Sequence, residues 1–218
     1  MVNVDRIERP GTLQSIAYER IKGLLVCGKL KQDLIYSGSQ FAEMLGVSRT
    51  PVREALLQLS AEGFFIPVQG RGFRIREFSK EEIRDFFEAR LMIETYIIQR
   101  LAESMDDEDV QSLEESLNQM VRCARKKDSD GFLEADKAFH MNLVHRHKNR
   151  LLVSIMENIR NLISILGRKA LATAGRTEEV IGEHRKVLEG IRKRDAAAAA
   201  KAMRRHLSVT ESTIIETL

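Results

Sequence analysis

The stretch LGVSRTPVREALLQLSAEGF, residues 45–64, decides how the rest of the chain is read. Val52, Leu56 and Leu59 recur at helical spacing, and glycines at 46 and 63 bracket the run. Ser48 stands where a helix cap belongs. Pro51 falls in the first turn, where a missing N–H costs nothing. Arg49 and Arg53 are four residues apart and share a face, with Leu56 and Leu59 on or near the opposite side. A helix that only packs on other helices has little use for two outward arginines at its mouth. In the DNA major groove, guanine presents O6 and N7 as a pair of acceptors, which a guanidinium matches with two parallel hydrogen bonds. Ser48 and Thr50 are short enough for close approach, and their hydroxyls suit phosphate oxygens.

The neighbouring segments supply the rest of such a device. GTLQSIAYERIKGLLVCGKL, residues 11–30, reads as a helix with Leu13, Ile16, Ala17, Ile21 and Leu24 on one face. SGSQFAEMLG, residues 37–46, reads as a short second helix capped by Ser37 or Ser39 and ended by Gly46. After Gly63 the period changes. FFIPVQGRGFRIREF, residues 64–78, reads as two short strands around Gln69–Gly72, a two-stranded hairpin in which Pro67 requires an edge position. Gly70 and Arg71 at its tip, with Arg74, can follow a second stretch of backbone or the minor groove. Three helices and a hairpin make a winged helix-turn-helix. The charge agrees: residues 1–78 hold eleven Lys and Arg against eight Asp and Glu, and residues 79–218 hold 24 of each. The whole formal excess of +3 therefore lies in the first third, as suits a polyanion partner.

From Ser79 onward the pattern is all helix. Ser79 with Glu82 forms a capping box that opens a helix to about residue 104. Further helical stretches fall near 106–127, 132–147, 151–171, 177–193 and 195–216, the last begun by the strong helix former DAAAAAKAMRRHL. We therefore expect a mainly α chain: a winged helix-turn-helix over 1–78, then an all-α bundle of six or seven helices over 79–218. No apolar run reaches the roughly 18–20 residues of a membrane span. MVNVDRIERP lacks the apolar core of a signal peptide, and Cys27 and Cys123 lack disulfide or thiolate-metal spacing, so a cytoplasmic protein is expected.

All five histidines lie in the bundle, at 140, 145, 147, 184 and 206. Asp136 and His140 are an i, i+4 pair on one helix face, while His184 and His206 lie on the last two helices. Carboxylate and imidazole are ordinary ligands for zinc, nickel, manganese or iron, and a bundle can bring three helices around one ion. Spacing alone equally allows packed histidines with no metal. His145 and His147 suit a helix C-terminus, where the dipole favours positive side chains.

VSRTPVREAL, together with ERIKGLLVCGKL before it and GRGFRI after it, resembles the DNA-binding domain of the GntR family of bacterial transcription regulators over residues 10–76. The resemblance implies that Arg49 and Arg53 contact bases or nearby backbone and that Gly70 approaches the minor groove. Ser39 stands where the family usually has an arginine, which implies an altered DNA contact. Residues 80–213 resemble the helical ligand-binding domain of the FadR-type branch. That likeness implies one divalent ion per subunit, zinc, nickel or manganese, held by Asp136, His140, His184 and His206. It further implies a small carboxylate or sugar-acid effector beside the ion, whereas members without the site bind fatty-acyl thioesters. Arg90, in FFEARLMIE, matches a position that can meet the effector carboxylate; a salt bridge to Glu94 is the alternative.

Joined, the halves imply a homodimer on double-stranded DNA with a pseudopalindromic operator, acting as an effector-responsive repressor. Two rivals stay open. One is a metalloenzyme with a DNA-binding appendage, for which Glu183 next to His184 points about 100° away and no nucleophile motif is present. The other is a regulator whose metal is purely structural.

Overall fold

Most of the helix starts are built by side chains that accept from the free N–H groups of the first turn. Ser37 and Ser79 each close a capping box, with Gln40 and Glu82 returning the bond, and Asp106 does the same with Asp109. Thr12, Asp128, Asn149 and Asp195 cap four further helices. In the computed structural model, residues 11–218 are described; MVNVDRIERP, and with it the signal-peptide expectation, lies outside them. The order is α1 (Leu13–Val26), β1 (Ile35–Tyr36), α2 (Gly38–Leu45), α3 (Arg49–Ala61), β2 (Phe65–Val68), β3 (Gly72–Ile75), α4 (Lys80–Leu101), α5 (Asp107–Lys126), α6 (Ser129–Arg146), α7 (Arg150–Leu171), α8 (Arg176–Arg192) and α9 (Ala196–Glu216). The chain divides into two compact units, one ending at Glu77 and the other running from Phe78 to Leu218.

In the first unit, α1 and α2 pack on α3. Phe41, Val52, Leu56, Leu59 and Phe64 are completely buried. Each such side chain contributes about 1.5–3 kcal/mol relative to exposure. Gly46 ends α2 in the left-handed region at φ 66°. Two expectations need correction. The sheet has three strands, not two, in the order β1-β3-β2: Ile35 and Tyr36 pair antiparallel with Arg74 and Phe73. Gly72, at φ 134°, permits this, because a Cβ there would stand 2.3 Å from the Tyr36 carbonyl oxygen. Pro67 lies on β2, an edge strand as its missing N–H requires. The buried face of α1 is also shifted. Ala17, Tyr18, Ile21 and Leu25 face the core, while Leu13 and Ile16 are 57% and 51% exposed.

The second unit is six helices. α4 packs on α9, α5 on α6 and on α8, and α8 on α9. The α8–α9 contact is close because of Gly190: a Cβ there would lie 2.6 Å from the Ala199 backbone nitrogen. Phe78 belongs to this unit, its ring meeting Phe86 edge-on at 5.6 Å. Ile83, Phe87, Ile97, Leu113, Met120, Phe139, Leu143, Met156, Val187 and Met203 fill the interior. Among the described residues no helix is long and apolar enough to cross a membrane.

Candidate metal centre

Inside this apolar bundle lies a group of charged and polar side chains that burial alone would forbid. Asp136 and His140 come from α6, His184 from α8 and His206 from α9, and all four are buried. Each can offer one ligand atom such that all four atoms lie within 4.8 Å of one another. His184 Nε2 is 3.3 Å from both His140 Nε2 and Asp136 Oδ1, and His140 Nε2 is 3.9 Å from the same oxygen. An ion with bonds of about 2.1 Å spaces its ligand atoms about 3–4 Å apart; the donors of Asp136, His140 and His184 fall in that range, and the set with His206 close by is compatible with one divalent cation.

The hydrogen bonds behind the rings strengthen that fit. His184 Nδ1 lies 2.8 Å from the Val180 carbonyl oxygen, which can only accept. His206 Nδ1 lies 2.7 Å from Glu183 Oε2, and His140 Nδ1 is bonded to Glu94 Oε2. Each Nδ1 therefore carries the proton, leaving an Nε2 lone pair for a cation. Burial pushes the His184 pKa down to about 4, with the neighbouring His206 adding to the effect. Burial and then Arg90 and Arg160 hold His140 well below the usual histidine range. At neutral pH both rings are uncharged, as metal ligation requires. Burial opposes the charge on Asp136, but the paired Arg160 guanidinium outweighs it and keeps the carboxyl well below the usual carboxylate range.

Three buried arginines accompany the donors. Arg90, on α4, is completely buried; its Nε donates to Glu94 Oε1 at 2.8 Å, and its Nη2 is 3.3 Å from both ring nitrogens of His140. The salt bridge weighed for Arg90 is thus present, within the donor cluster itself. Arg160, on α7, is paired with Asp136 Oδ2. Arg176, at the start of α8, donates to both oxygens of Glu183 and to the Thr210 hydroxyl. Arg90 Nη1 and Arg160 Nε are buried with no hydrogen-bond partner among the described residues. A cavity of about 40 Å³, room for a few waters, adjoins the donors and is lined by Asp136, Arg160, Arg176, His206 and Thr210 with apolar side chains including Phe132.

Arg160, Arg176 and Glu183 are residues whose part in the site sequence reasoning missed. Arg160 interrupts the buried stripe of α7 that Met156, Ile163 and Gly167 define, and a lone charge in such a stripe was the available signal. The expectation that Glu183 faces elsewhere needs correction: it offers no donor atom itself, but its carboxylate accepts from His206 Nδ1, one of the four donor residues. His145 and His147 lie apart at the end of α6, with His147 edge-on to Tyr96.

On the other unit, Ser48 is the exposed residue preceding α3, and its side chain makes no capping bond. Arg49, Thr50 and Arg53 are exposed on the first turns of α3. Neither arginine has a carboxylate partner among the described residues; Glu62, one candidate partner, instead accepts from Tyr18 at 2.6 Å and lies 3.7 Å from Lys22. Gly70, at φ 68°, and Arg71 form the exposed tip between β2 and β3. Ser39 is exposed on α2.

A winged helix-turn-helix and a helical bundle with a buried polar centre are the two parts of this chain. Residues 13–75 match the family described as bacterial regulatory proteins, gntR family, and residues 85–209 match the FCD domain. This chain therefore belongs to the GntR family of bacterial transcriptional regulators and carries a C-terminal FCD domain. It is similar to the HTH-type transcriptional regulator YdhC of Bacillus subtilis (strain 168), 24% identical over 93% of this chain and 91% of that protein. It is also similar to the HTH-type transcriptional repressor RspR of Escherichia coli (strain K12), 27% identical over 84% of this chain and 85% of that one. Among solved structures, E. coli McbR/YncC shares the fold with a TM-score of 0.83 at 20% identity, over 95% of this chain and 99% of that one. These relatives are regulators, not enzymes, which sets aside the metalloenzyme reading.

Proposed function

We propose that this protein is a cytoplasmic transcriptional repressor whose helical unit, residues 79–218, binds one divalent ion and a small carboxylate or sugar-acid effector. The winged unit, residues 1–78, then reads a pseudopalindromic operator as part of a homodimer, using Ser48, Arg49, Thr50, Arg53, Gly70 and Arg71. One observation carries the metal: three histidines from three helices each have Nδ1 tied to an acceptor, the Nε2 atoms of His140 and His184 meet beside Asp136, and His206 completes the same buried donor group. When bound, the ion supplies a Lewis-acidic position that an anionic effector can complete. Zinc, nickel and manganese all accept this nitrogen and oxygen donor set. The free N–H groups of Arg90 and Arg160 add directed donors for a carboxylate in the same interior. The name of the relative RspR favours repression.

The test is metal content by mass spectrometry on protein purified without chelator or affinity nickel. About one ion per subunit is expected in the native chain, and none in the His140→Ala, His184→Ala double variant. Metal-free native protein would sink the reading and return the histidines to ordinary bundle residues.

A further inference from the structure

An imidazole offers a lone pair to a cation only from the nitrogen that lacks a proton, so something must hold the proton on the other side. His184 uses a backbone carbonyl four residues earlier on its own helix, a partner that no side-chain substitution removes. His140 and His206 use carboxylates from other helices, and each carboxylate is itself gripped by an arginine. In the first chain, Arg90 Nε donates to Glu94 Oε1 at 2.8 Å and Glu94 Oε2 accepts from His140, linking α4 to α6. In the second, Arg176 donates to Glu183 Oε1 at 2.8 Å and to Oε2 at 3.0 Å, and Oε2 also accepts from His206 at 2.7 Å, linking α8 to α9. Glu94 and its partners Arg90 and His140 are completely buried.

We infer that Glu94 and Glu183 are positioning residues of the metal centre, each fixing the proton of one histidine on Nδ1 so that its Nε2 faces the ion. This rests on the metal reading above and names the residues that tune the site. A buried glutamate could serve merely to neutralise its arginine. Glu94, however, divides its two oxygens between the guanidinium and the ring, which charge balance alone does not require. A carboxylate behind an imidazole also makes the ring a stronger donor, so losing its charge weakens the metal bond even where the shape is kept. Glutamine preserves the shape and removes the charge. At position 94 its amide, with one accepting oxygen, cannot serve the arginine and the ring through separate oxygens as the carboxylate does.

The test uses the full-length protein in two states. In the metal-free state, nitrogen-15 long-range NMR of the histidine rings reads the tautomer directly. His140, His184 and His206 are expected as Nδ1–H forms in the native chain. Glu94→Gln and Glu183→Gln are expected to erode that preference at His140 and His206 respectively, leaving His184 unchanged. In the metal-bound state, zinc affinity by chelator competition is expected to fall about 10- to 100-fold in each variant. Glu179→Gln is the control, since Glu179 pairs with Arg176 at 3.2 Å but touches no histidine, and it should alter neither readout. A purely structural glutamate would lower the melting temperature and leave tautomer and zinc affinity as they were, which overturns the inference. Nε2–H rings at His140 and His206 in a native chain that binds zinc would overturn it too. A native chain with Nδ1–H rings and no zinc affinity would instead defeat the metal reading on which it rests. If Glu94→Gln does not fold, the partly exposed Glu183 decides the matter alone.

Discussion

A guanidinium can read a base edge only if its own protein leaves it free and exposed. Arg49 and Arg53 meet that condition at the mouth of α3. Replacing Arg53 with alanine should remove specific operator binding in a mobility-shift assay, since one bidentate base contact carries about 1–3 kcal/mol of discrimination, with no change in oligomeric state by light scattering. Binding as tight as native would show that α3 does not read the groove through this face. Ser39 is exposed on α2 and makes no bond to the first unit's core, so Ser39→Arg should tighten DNA binding or shift its sequence preference without loss of stability. The same logic of freedom and capture separates what was readable at the metal centre from what was not. Asp136 and His140 announce a shared face through their i, i+4 spacing, because one helix fixes both side chains. His184 and His206 could be raised as partners from their place on the last two helices of a bundle, but spacing equally allowed packed histidines and the family resemblance favoured the metal, since their meeting point depends on how three helices pack. Arg160 showed only as a lone charge in an apolar stripe, and the site roles of Arg160 and Glu183 were hidden for the same reason. Their roles are set across helices, by Asp136 on α6 and His206 on α9.

The helices of the second unit were legible because caps and periodicity act within a few residues of each other. Ser79 and Glu82 close their box as the spacing indicates. β1 was not legible. Two residues show no alternation, and Ile35–Tyr36 becomes a strand only because β3 is there to pair with it. The face of α1 was misjudged for a different reason. Its stripe includes Tyr18, an amphipathic residue that buries its ring while its hydroxyl donates to Glu62, and a purely apolar pattern skips such a position. Close approach of two helices is likewise a property of the pair. Gly190 on α8 has room for a hydrogen but not a methyl group, since the Ala199 backbone would stand 2.6–2.7 Å from an added Cβ. Gly190→Ala should therefore destabilise the helical unit by about 1–3 kcal/mol despite alanine's better helix propensity, read as a lower denaturation midpoint. An unchanged or raised midpoint would mean that α8 and α9 can separate at no cost. Both helices carry ligands, so the same variant should also weaken metal binding.

At the scale of the whole molecule, the centre sets three carboxylates, the buried Glu94 and Asp136 and the half-buried Glu183, against three buried guanidiniums, Arg90, Arg160 and Arg176. With His140 and His184 uncharged, these six groups pair off before any ion enters. A divalent cation adds a charge of +2 in a medium that penalises unpaired charge, so an anion beside it becomes favourable. Metal and effector should therefore bind with positive coupling, the carboxylate gaining affinity only once the ion is present. Thermal melting reads this directly. Metal at a hundredfold excess over its dissociation constant adds about 2.7 kcal/mol, which for a chain of this size raises the midpoint by about 5–10 °C. Small carboxylates should raise it further in the metal-bound protein and have little effect after chelation. In parallel, the same carboxylates should release the native chain from operator DNA while leaving the DNA affinity of metal-stripped protein unmoved. A midpoint that rises with metal but ignores every carboxylate, with DNA binding equally indifferent, would assign the ion a purely structural task.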